Sequence, residues 1–274
     1  MPELDRDAAL DWVARWDSQQ LGYLPDREER FTALIDAVQE GTSRPDPLVL
    51  DLGAGPGSLA VRLLDRLPAA TVVAVDADPL LLALGRVAWP DRTGLRFAEA
   101  DLRQPGWSAG LGLDRPVDAA VSTTALHWLP PGALAAMYAE LATVLRPGGL
   151  LLNGDHLSED EQTAPTLARL GRALIEREEE RRFPAGHPET WDGWWAAVGA
   201  EPALAPLLAE REKRFGGSDH HGSPSGRLVT HVAALQVAGF AEIGILWQRG
   251  ENRLLCAVKG TGARPLPAAP AGAG

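Results

Sequence analysis

Short, continuously apolar runs alternate with amphipathic stretches through the middle of the chain. Runs of Val, Leu and Ala that do not alternate with polar residues are typical of strands covered on both faces, as in a parallel sheet. The intervening stretches have helical spacing and begin or end at Pro and Gly. The pattern predicts an α/β fold with a doubly wound, mostly parallel sheet. The predicted strands are residues 48–52, 71–76, 95–98, 119–122 and 150–153.

The two ends of the chain and one internal region have a different pattern. Residues 1–46 have helical spacing, with Trp12 and Trp16 four positions apart, and predict an N-terminal helical segment. Residues 47–260 form the predicted main domain, within which residues 155–235 read as a helical cap. Residues 243–248 and 253–258 predict a closing antiparallel hairpin. Residues 261–274, mostly Ala, Pro and Gly, predict a disordered tail.

Composition narrows the classes of protein. The chain has 274 residues and a net charge of −11, which argues against nucleic acid as a partner. Cys256 is the only cysteine, so neither an intramolecular disulfide nor a cysteine-based metal cluster can form, and we predict no metal site. We find neither a secretory signal nor an apolar run of about 20 residues. We therefore expect a cytoplasmic protein without a membrane partner.

A glycine-rich loop follows the first predicted strand and opens a helix. Glycine permits positive φ and lets a ligand approach the backbone closely. A dinucleotide fingerprint would need Gly or Ala where this chain has Ser58, and Asp51 would repel a pyrophosphate. A carboxylate there suits a ligand with a positive group, so the loop favours a cationic nucleoside. The predicted contacts are Asp51, Gly53, Ala54, Gly55 and Gly57.

Two further acids end neighbouring strands. Asp76, followed by Ala77, lies about 20 residues after the loop, where a carboxylate can accept from both hydroxyls of a ribose. Asp101, followed by Leu102, ends the third strand, where it can accept from the amine of adenine. The alternative is that each acid caps the helix that follows it. Three acids beside a glycine loop favour an adenosine site.

These motifs resemble those of the class I S-adenosylmethionine-dependent methyltransferases, in particular the small-molecule branch that includes trans-aconitate methyltransferase. The resemblance covers residues 30–155 and also rests on residues 122–129 and 145–149. It implies a seven-stranded sheet with an antiparallel last strand, and S-adenosylmethionine as cofactor. It also implies that the methionine part is held by Asp51, Gly53 and Gly55. The ribose would be held by Asp76, and the adenine by Asp101 with Leu102. Ser122 and Thr123 would line the methyl end.

Methyl transfer from a sulfonium needs an aligned acceptor and a dry site, and a general base only where the acceptor arrives protonated. The candidate bases are His127, which follows the fourth strand, His156, which follows the fifth, and His221, which lies in a loop bracketed by glycines. The alternatives are a helix-start residue for His127 and a surface turn for His221. Trp128, Trp194 and Trp195 are candidate walls of an acceptor pocket, or alternatively the core of the cap.

We therefore expect a methyltransferase that acts on a small molecule, with oxygen slightly favoured over nitrogen or carbon as the methylated atom. A homodimer is left open. One alternative is a protein that binds S-adenosylmethionine without transferring its methyl group, and another is an NAD-dependent oxidoreductase. The glycine spacing and Asp51 disfavour the second.

Overall fold

A seven-stranded sheet forms the centre of the computed structural model, which describes residues 4–24, 26–186, 189–216 and 225–261. The strand order is β3-β2-β1-β4-β5-β7-β6, and β7 runs antiparallel to both its neighbours. The predicted mostly parallel sheet and its closing hairpin are therefore confirmed. The strands are β1 Leu48–Leu52, β2 Thr71–Asp76, β3 Leu95–Glu99, β4 Val117–Thr123, β5 Leu145–His156, β6 Phe240–Arg249 and β7 Asn252–Lys259.

Helices cover both faces of the sheet. Alternate residues of each strand point to opposite sides, so Val49 and Val72 pack against α2 and α3, whereas Leu50 and Val73 pack on the side of α5. The helices are α1 Arg6–Tyr23, α2 Arg27–Thr42, α3 Ser58–Arg66, α4 Pro79–Ala88, α5 Pro131–Val144, α6 Pro165–Arg182, α7 Trp191–Ala200, α8 Ala205–Phe215 and α9 Leu228–Val237. Among the described residues, no helix combines the length and hydropathy needed to cross a bilayer.

The direction of winding reverses between β1 and β4. From β1 the chain adds β2 and β3 on one side, and it then returns to place β4 and β5 on the other. In open α/β sheets, the loops that diverge at such a point leave a crevice at the carboxyl ends of the strands. The order of strands therefore fixes where a ligand can bind.

The N-terminal helices take part in two separate cores. Phe31 and Leu34 of α2 join the sheet core beside α3. Trp12 and Trp16 of α1 instead join a separate cluster with α4 and α7, which includes the fully buried Trp194. Helix α1 thus connects the sheet domain to α7.

The predicted cap over residues 155–235 is made of helices with three different neighbours. Helices α7 and α8 lie against α1 and α4, near the carboxyl edge. Helix α6 packs along the β6–β7 hairpin, where its Gly171 carbonyl oxygen lies against Gly250. Helix α9 packs on α5 and β6 and buries Leu235 in the sheet core. Helix α9 occupies this position because β5 and β6 run parallel, and parallel strands need a crossover connection, which α9 supplies.

One strand is longer than its apolar run. The fifth strand was predicted at residues 150–153, but β5 begins at Leu145, because Leu145 pairs with Val117 of β4 before a register shift. The two strands of the closing hairpin meet at Gly250, which has a φ of 58°. The predicted tail lies, apart from residue 261, outside the described residues.

Candidate active site at the carboxyl edge of the sheet

A cavity of about 650 Å³ lies where β1 to β4 end. This volume is in the range of pockets that hold a cofactor or a small ligand. Its floor is built by the turns that follow the strands, with the predicted contacts Gly53, Ala54, Gly55, Asp76, Ala77, Asp101, Leu102 and Thr123. Its walls and roof come from other elements: Trp16, Gln20, Arg27, Trp128, Trp191, Arg211 and Phe215.

The glycine loop turns sharply under the cavity. Gly53, Gly55 and Gly57 have φ of 71°, 55° and 89°, in the left-handed region that favours glycine. A Cβ on Gly53 would lie 2.3 Å from the Cβ of Ala125, and one on Gly57 would lie 2.9 Å from the ring of Phe97. A Cβ on Gly55 would meet nothing closer than Trp16 at 3.8 Å. Gly57 is therefore required for packing and, contrary to its predicted contact, does not line the cavity. Gly53 is tightly packed although it lines the cavity, and Gly55 has open space beside it.

Asp76 is tied to the loop in the position expected of a ribose acceptor. Its Oδ2 accepts from the backbone N–H of Gly55 at 2.7 Å, and its Oδ1 from that of Asp78 at 2.8 Å. Each carboxylate oxygen keeps a second acceptor site, so the side chain can still take hydroxyl groups. Burial raises the pKa of Asp76 to about 6.

Asp51 lies beneath the same loop and is fully buried. Neither of its carboxylate oxygens accepts a hydrogen bond of normal geometry from the described residues. Burial, with the neighbouring Asp76 carboxylate, raises the pKa of Asp51 to about 7. Asp51 does not line the cavity. Asp51 is therefore buried behind the loop, where a positive group bound in the cavity would act on it through its charge and not by direct contact.

Asp101 reaches the cavity from the end of β3, but its oxygens are engaged by Arg103. The carboxylate accepts from the backbone N–H and the Nε of Arg103, both at 2.9 Å, and from its Nη2 at 2.8 Å. Burial alone would raise the pKa of Asp101, but these hydrogen bonds outweigh it and the pKa is lowered. The adenine contact predicted for Asp101 would thus be made by a carboxylate that stays ionised.

A histidine–aspartate pair lies behind the wall of the cavity. The Nδ1 of His127 is 2.7 Å from Oδ1 of Asp155, which is fully buried. Burial alone would lower the pKa of His127, but the charge and hydrogen bond of Asp155 outweigh it and raise the pKa. The His127 ring contacts the ring of Trp128, with centroids 4.6 Å apart, and Trp128 lines the cavity. His127 itself is adjacent to the cavity and does not line it.

The other two candidate bases are placed differently. His156 follows Asp155 on β5 and does not line the cavity. Burial lowers the pKa of His156, and the backbone of Tyr23 at the end of α1 is its hydrogen-bond partner. The structure therefore places His156 under α1 and not beside an acceptor. His221 lies outside the described residues.

Three predicted contacts do not line the cavity: Ser122 and Trp194 are buried, and Trp195 is half-buried. Ser122 is buried and donates to the carbonyl oxygen of Leu52 at 2.7 Å, a bond that joins the ends of β4 and β1. Trp194 is fully buried between Trp12 and Trp16, so the predicted acceptor contact of Trp194 is corrected to a role in the core. Trp195 packs edge-on against Trp194 and under the Arg211 guanidinium, and it does not line the cavity.

Among the wall and roof residues, Trp128 was predicted as an acceptor contact and it does line the cavity, whereas the others were not predicted as contacts. Trp191 takes the place expected of Trp194, because the opposite side of α7 packs onto α1. Trp16 was noted only as part of a helical spacing. Gln20, Arg27 and Arg211 have no local sequence signal, since their approach to the cavity depends on how α1, α2 and α8 pack.

The site fits S-adenosylmethionine on two observations. The loop with Gly55 leaves open space at the end of β1, and Asp51 supplies a buried carboxylate that lacks a partner among the described residues. Asp76, the predicted ribose contact, and Asp101 with Leu102, the predicted adenine contacts, line the same cavity. Within the described ranges, no group of three or more His, Cys, Asp or Glu side chains is arranged to hold a metal ion.

Comparison with known proteins agrees with this geometry. Residues 49–149 match a family described as a methyltransferase domain. A trans-aconitate 2-methyltransferase of Azoarcus sp. is 36% identical over 194 residues, covering 71% of this chain and 64% of that protein. A trans-aconitate 2-methyltransferase of Methylobacterium nodulans is 30% identical over 197 residues, covering 68% of this chain and 69% of that protein.

A solved structure of an O-methyltransferase family protein from Burkholderia thailandensis shares the fold. It superimposes with a TM-score of 0.57 at 18% identity, covering 95% of this chain and 64% of that one. The matched part of the chain covers 64% of the Azoarcus relative, less than two thirds of its length, and 69% of the Methylobacterium relative. On the family match, these two relatives and the shared fold, the chain belongs to the S-adenosylmethionine-dependent methyltransferases, in the group that includes the trans-aconitate 2-methyltransferases.

Proposed function

We propose that this chain transfers a methyl group from S-adenosylmethionine to an oxygen atom of a small planar acceptor. The observation that carries the proposal is the lining of the cavity. The predicted cofactor contacts at the strand ends form its floor, and the aromatic rings of Trp16, Trp128 and Trp191 form its roof. Floor and roof together leave room for two ligands, a nucleoside and a flat molecule beside it.

The cofactor supplies a methyl group that is already activated on a sulfonium. The chain therefore has to hold the cofactor, align the acceptor with the methyl group and keep water out of the site. Asp76 is placed to fix the ribose, and the two hydrogen bonds it accepts from Gly55 and Asp78 hold its carboxylate in one orientation. The three tryptophan rings give the roof an apolar surface. Correct alignment of the acceptor with the methyl group is worth about 7–11 kcal/mol of the barrier.

His127 is the proposed general base. Because it lies behind Trp128 and does not line the cavity, it would act on an acceptor hydroxyl through one intervening water and not by direct contact. Asp155 accepts from Nδ1, which leaves Nε2 as the basic atom of the ring. A hydroxyl acceptor gains about 10²–10⁴-fold from such a base, whereas a carboxylate acceptor gains nothing from it. The dependence of the rate on His127 therefore reports which kind of oxygen is methylated.

The charges around the cavity favour an acceptor with few negative groups. Three arginines line it, and each is paired with an aspartate: Arg27 with Asp17 at 2.9 Å, Arg103 with Asp101 at 2.8 Å, and Arg211 with Asp78 at 2.6 Å. A tricarboxylate would need cations that are not already paired. We therefore propose a planar hydroxy or monocarboxylic acid, and trans-aconitate is the first comparison acceptor because the relatives are named for it.

The test is a methyl-transfer assay with isotopically labelled S-adenosylmethionine, read by mass spectrometry. Trans-aconitate, planar hydroxy acids and planar monocarboxylic acids are supplied separately, and extracts of bacterial cells provide unknown acceptors. We expect labelled product from a planar acid or phenol. Binding of S-adenosylmethionine by calorimetry without labelled product from any pool would instead support the alternative, a protein that binds the cofactor without transferring its methyl group.

Asp76→Ala is the matched variant for this assay. Because the ribose loses its acceptor, we expect the affinity for S-adenosylhomocysteine to fall at least about tenfold and the labelled product to fall with it. Unchanged affinity in Asp76→Ala would place the cofactor elsewhere and overturn the proposed function.

A further inference from the structure

The hydroxyl of Thr123 is committed on one side only. Thr123 ends β4 and lines the cavity, and its Oγ1 accepts a hydrogen bond from Nη2 of Arg30 at 2.5 Å. A threonine hydroxyl accepts through its lone pairs and also has one hydrogen to donate. Within the described part of the chain, no acceptor takes that hydrogen. It is therefore available to a molecule bound in the cavity.

Arg30 of α2 determines how this hydroxyl can act. The arginine side chain is fully buried, and its Nη1 donates to Oδ1 of Asn252 at 2.6 Å. A guanidinium has donors only, so the oxygen of Thr123 must accept from it. Burial lowers the pKa of Arg30 to about 10, so the group is still charged near neutral pH. A cation that donates to a hydroxyl polarises its O–H bond and strengthens the hydrogen bond that the hydroxyl donates in turn.

The backbone beside Thr123 is held in place as well. Thr124, the next residue, has a φ of 51°, which is rare for a β-branched side chain. Its backbone N–H donates to the carbonyl oxygen of Gly154 on β5 at 2.9 Å. Backbone strain of this kind persists only where the surrounding contacts enforce it, and it is concentrated at functional sites. The turn after β4 therefore keeps the Thr123 hydroxyl in one position at the cavity.

Thr123 lies at the end of the floor that is farthest from the predicted adenine contacts. In the strand order β3-β2-β1-β4, the ends of β2 and β1 lie between Thr123 and Asp101. Trp128 of the aromatic roof follows the same strand as Thr123 and lines the cavity. A nucleoside that reaches Asp101 therefore leaves Thr123 at the opposite end, beside the methyl group and the acceptor.

The chemistry of methyl transfer decides which oxygen of an acceptor this donor can contact. The attacking oxygen must keep a lone pair directed at the methyl carbon, and a hydrogen bond to that lone pair would oppose the attack. The hydroxyl of Thr123 therefore suits a second oxygen of the acceptor, which does not react. The hydrogen bond and the stacking of the aromatic roof would together fix the orientation of a planar molecule toward the methyl group.

We propose that the Thr123 hydroxyl donates to a second oxygen of the acceptor, and so selects molecules with a carbonyl or carboxylate oxygen beside the oxygen that is methylated. This inference rests on the proposed function, because it assumes that the cavity holds S-adenosylmethionine and an acceptor together. Thr123 keeps its proton in the reaction. The methylated oxygen gains the methyl carbon, the carbon–sulfur bond breaks with its electron pair left on sulfur, and a hydroxyl acceptor gives its proton to the general base through the intervening water.

The first test identifies the products of the full chain in the labelled methyl-transfer assay. Two isomers are compared: in 2-hydroxybenzaldehyde the carbonyl oxygen lies beside the hydroxyl, whereas in 4-hydroxybenzaldehyde it lies across the ring. Benzoate and trans-aconitate supply carboxylates, and bacterial extracts supply further acceptors. Every labelled product should carry a carbonyl or carboxylate oxygen beside the methylated oxygen. Where the isomers are methylated, the first should react at least about tenfold faster than the second.

The second test removes the hydroxyl, because Thr123→Val keeps the shape of the side chain and loses the donor. For an acceptor found in the first test, we expect KM to rise about 10- to 100-fold and kcat to change by less than about threefold. The reason is that a contact to an oxygen that does not react is made equally in the bound state and in the transition state. The affinity for S-adenosylhomocysteine, measured by calorimetry, should stay within about twofold of the wild type. Thr123→Ser, which restores the hydroxyl, should bring KM back to within about threefold.

Thr32→Val, on the same helix as Arg30, is the matched control. The exposed hydroxyl of Thr32 donates to the carbonyl oxygen of Glu28 at 2.9 Å and does not line the cavity, so KM should not change. Circular dichroism and thermal unfolding check that the variants fold. The products of the wild type test the inference without any variant.

Several outcomes would overturn the inference. A labelled methyl ether without a neighbouring oxygen overturns it and leaves the proposed function intact. An unchanged KM in Thr123→Val overturns it as well, and so does a loss of affinity for S-adenosylhomocysteine as large as the rise in KM, which would assign Thr123 to the cofactor. No labelled product, or a product methylated at nitrogen or carbon, contradicts the proposed function itself.

Discussion

Two glycines of one loop, Gly53 and Gly55, both have positive φ but have different neighbours. A methyl group on Gly53 would overlap Ala125, whereas one on Gly55 would point into open space next to Trp16. A residue type repeated within a motif can therefore have different functions at its two positions. One position serves the folding of the loop, and the other leaves room for a ligand.

Substitution should separate the two functions. We expect Gly53→Ala to cost about 2–4 kcal/mol in the free energy of unfolding, since it combines overpacking with a strained φ. Gly55→Ala should cost only the strain of its positive φ, about 1–2 kcal/mol in the free energy of unfolding. For the same loss of stability, Gly55→Ala should lower the affinity for S-adenosylhomocysteine more than Gly53→Ala does. Urea unfolding and calorimetry measure the two effects. Equal losses of stability would contradict this assignment.

At the same scale, Asp155 controls the protonation of His127. The histidine acts as a base only when neutral, so the rate should rise with pH through its pKa, which Asp155 raises. In Asp155→Asn the pKa of His127 falls, and the acidic limb of the profile of kcat/KM should move to lower pH. In His127→Gln the limb should disappear. A limb at the same pH in Asp155→Asn would exclude His127 as its origin.

The Asp155 variant also has a structural cost. Asp155 is fully buried, and besides His127 the charge of the fully buried Arg30 acts on it. Removing the carboxylate leaves the arginine without its countercharge, which should cost about 3–5 kcal/mol. The pH profile is therefore best measured at a temperature well below the unfolding transition of the variant.

At the scale of elements, a buried hydrogen-bonded chain joins α9 to α5. The Nε2 of His231 lies 2.7 Å from the carbonyl oxygen of Ser225, which can only accept, so Nε2 carries the proton. The Nδ1 atom must then accept from the hydroxyl of Tyr138, at 2.6 Å. Burial lowers the pKa of His231, which keeps the ring neutral. The crossover helix is thus fixed to the sheet layer through one tautomer.

Removing the hydroxyl should loosen this contact. We expect Tyr138→Phe to lower the free energy of unfolding by about 1–3 kcal/mol, because Nδ1 is left buried without a donor. Val237→Ala, at an exposed side chain of α9, is the control and should change it by less than about 0.5 kcal/mol. Since the folded pKa of His231 lies below its ordinary value of 6.5, its contribution to stability should be lost as pH falls below that value. Equal effects of the two substitutions would contradict the tautomer assignment.

Elements whose signal is local were predictable from the sequence. Residues 48–52 and 71–76 are apolar apart from Asp51 in the first run and the two end residues of the second, and they form β1 and β2. Pro79 after Asp78 marks the start of α4, where Asp78 caps the helix. The extension of β5 to Leu145 was not predictable, because it depends on pairing with β4. The same holds for the cavity: its floor follows from motifs, whereas Arg27 and Trp191 reach it only through the packing of α1, α2 and α7.

At the scale of the whole molecule, two buried acids make stability depend on pH and on the ligand. The pKa of Asp51 is about 7 and that of Asp76 about 6, both above the ordinary value of 3.8. The folded chain then binds protons more readily than the unfolded chain between about pH 4 and pH 7. The contribution of these acids to stability is present at low pH and is lost as pH rises through that window.

A positively charged ligand should offset this loss. We expect S-adenosylmethionine to raise the melting temperature more than S-adenosylhomocysteine, which lacks the sulfonium charge, and the difference to be larger at pH 8 than at pH 5. Thermal unfolding at saturating ligand measures it. In Asp51→Asn the pH dependence of the difference should shrink. A difference that is the same at both pH values would contradict a role for the buried acids.

Gly154 of β5 lies against the Arg30 side chain, where a Cβ would stand 2.8 Å from Nε. Arg30 in turn donates to Asn252 at 2.6 Å and to Thr123 at 2.5 Å, so one arginine of α2 joins the ends of β7 and β4. A side chain at position 154 would therefore require a smaller residue than arginine at position 30. A chimera that grafts the first 46 residues of a relative onto this sheet would need a matching pair at these two positions, however similar the remaining surfaces are.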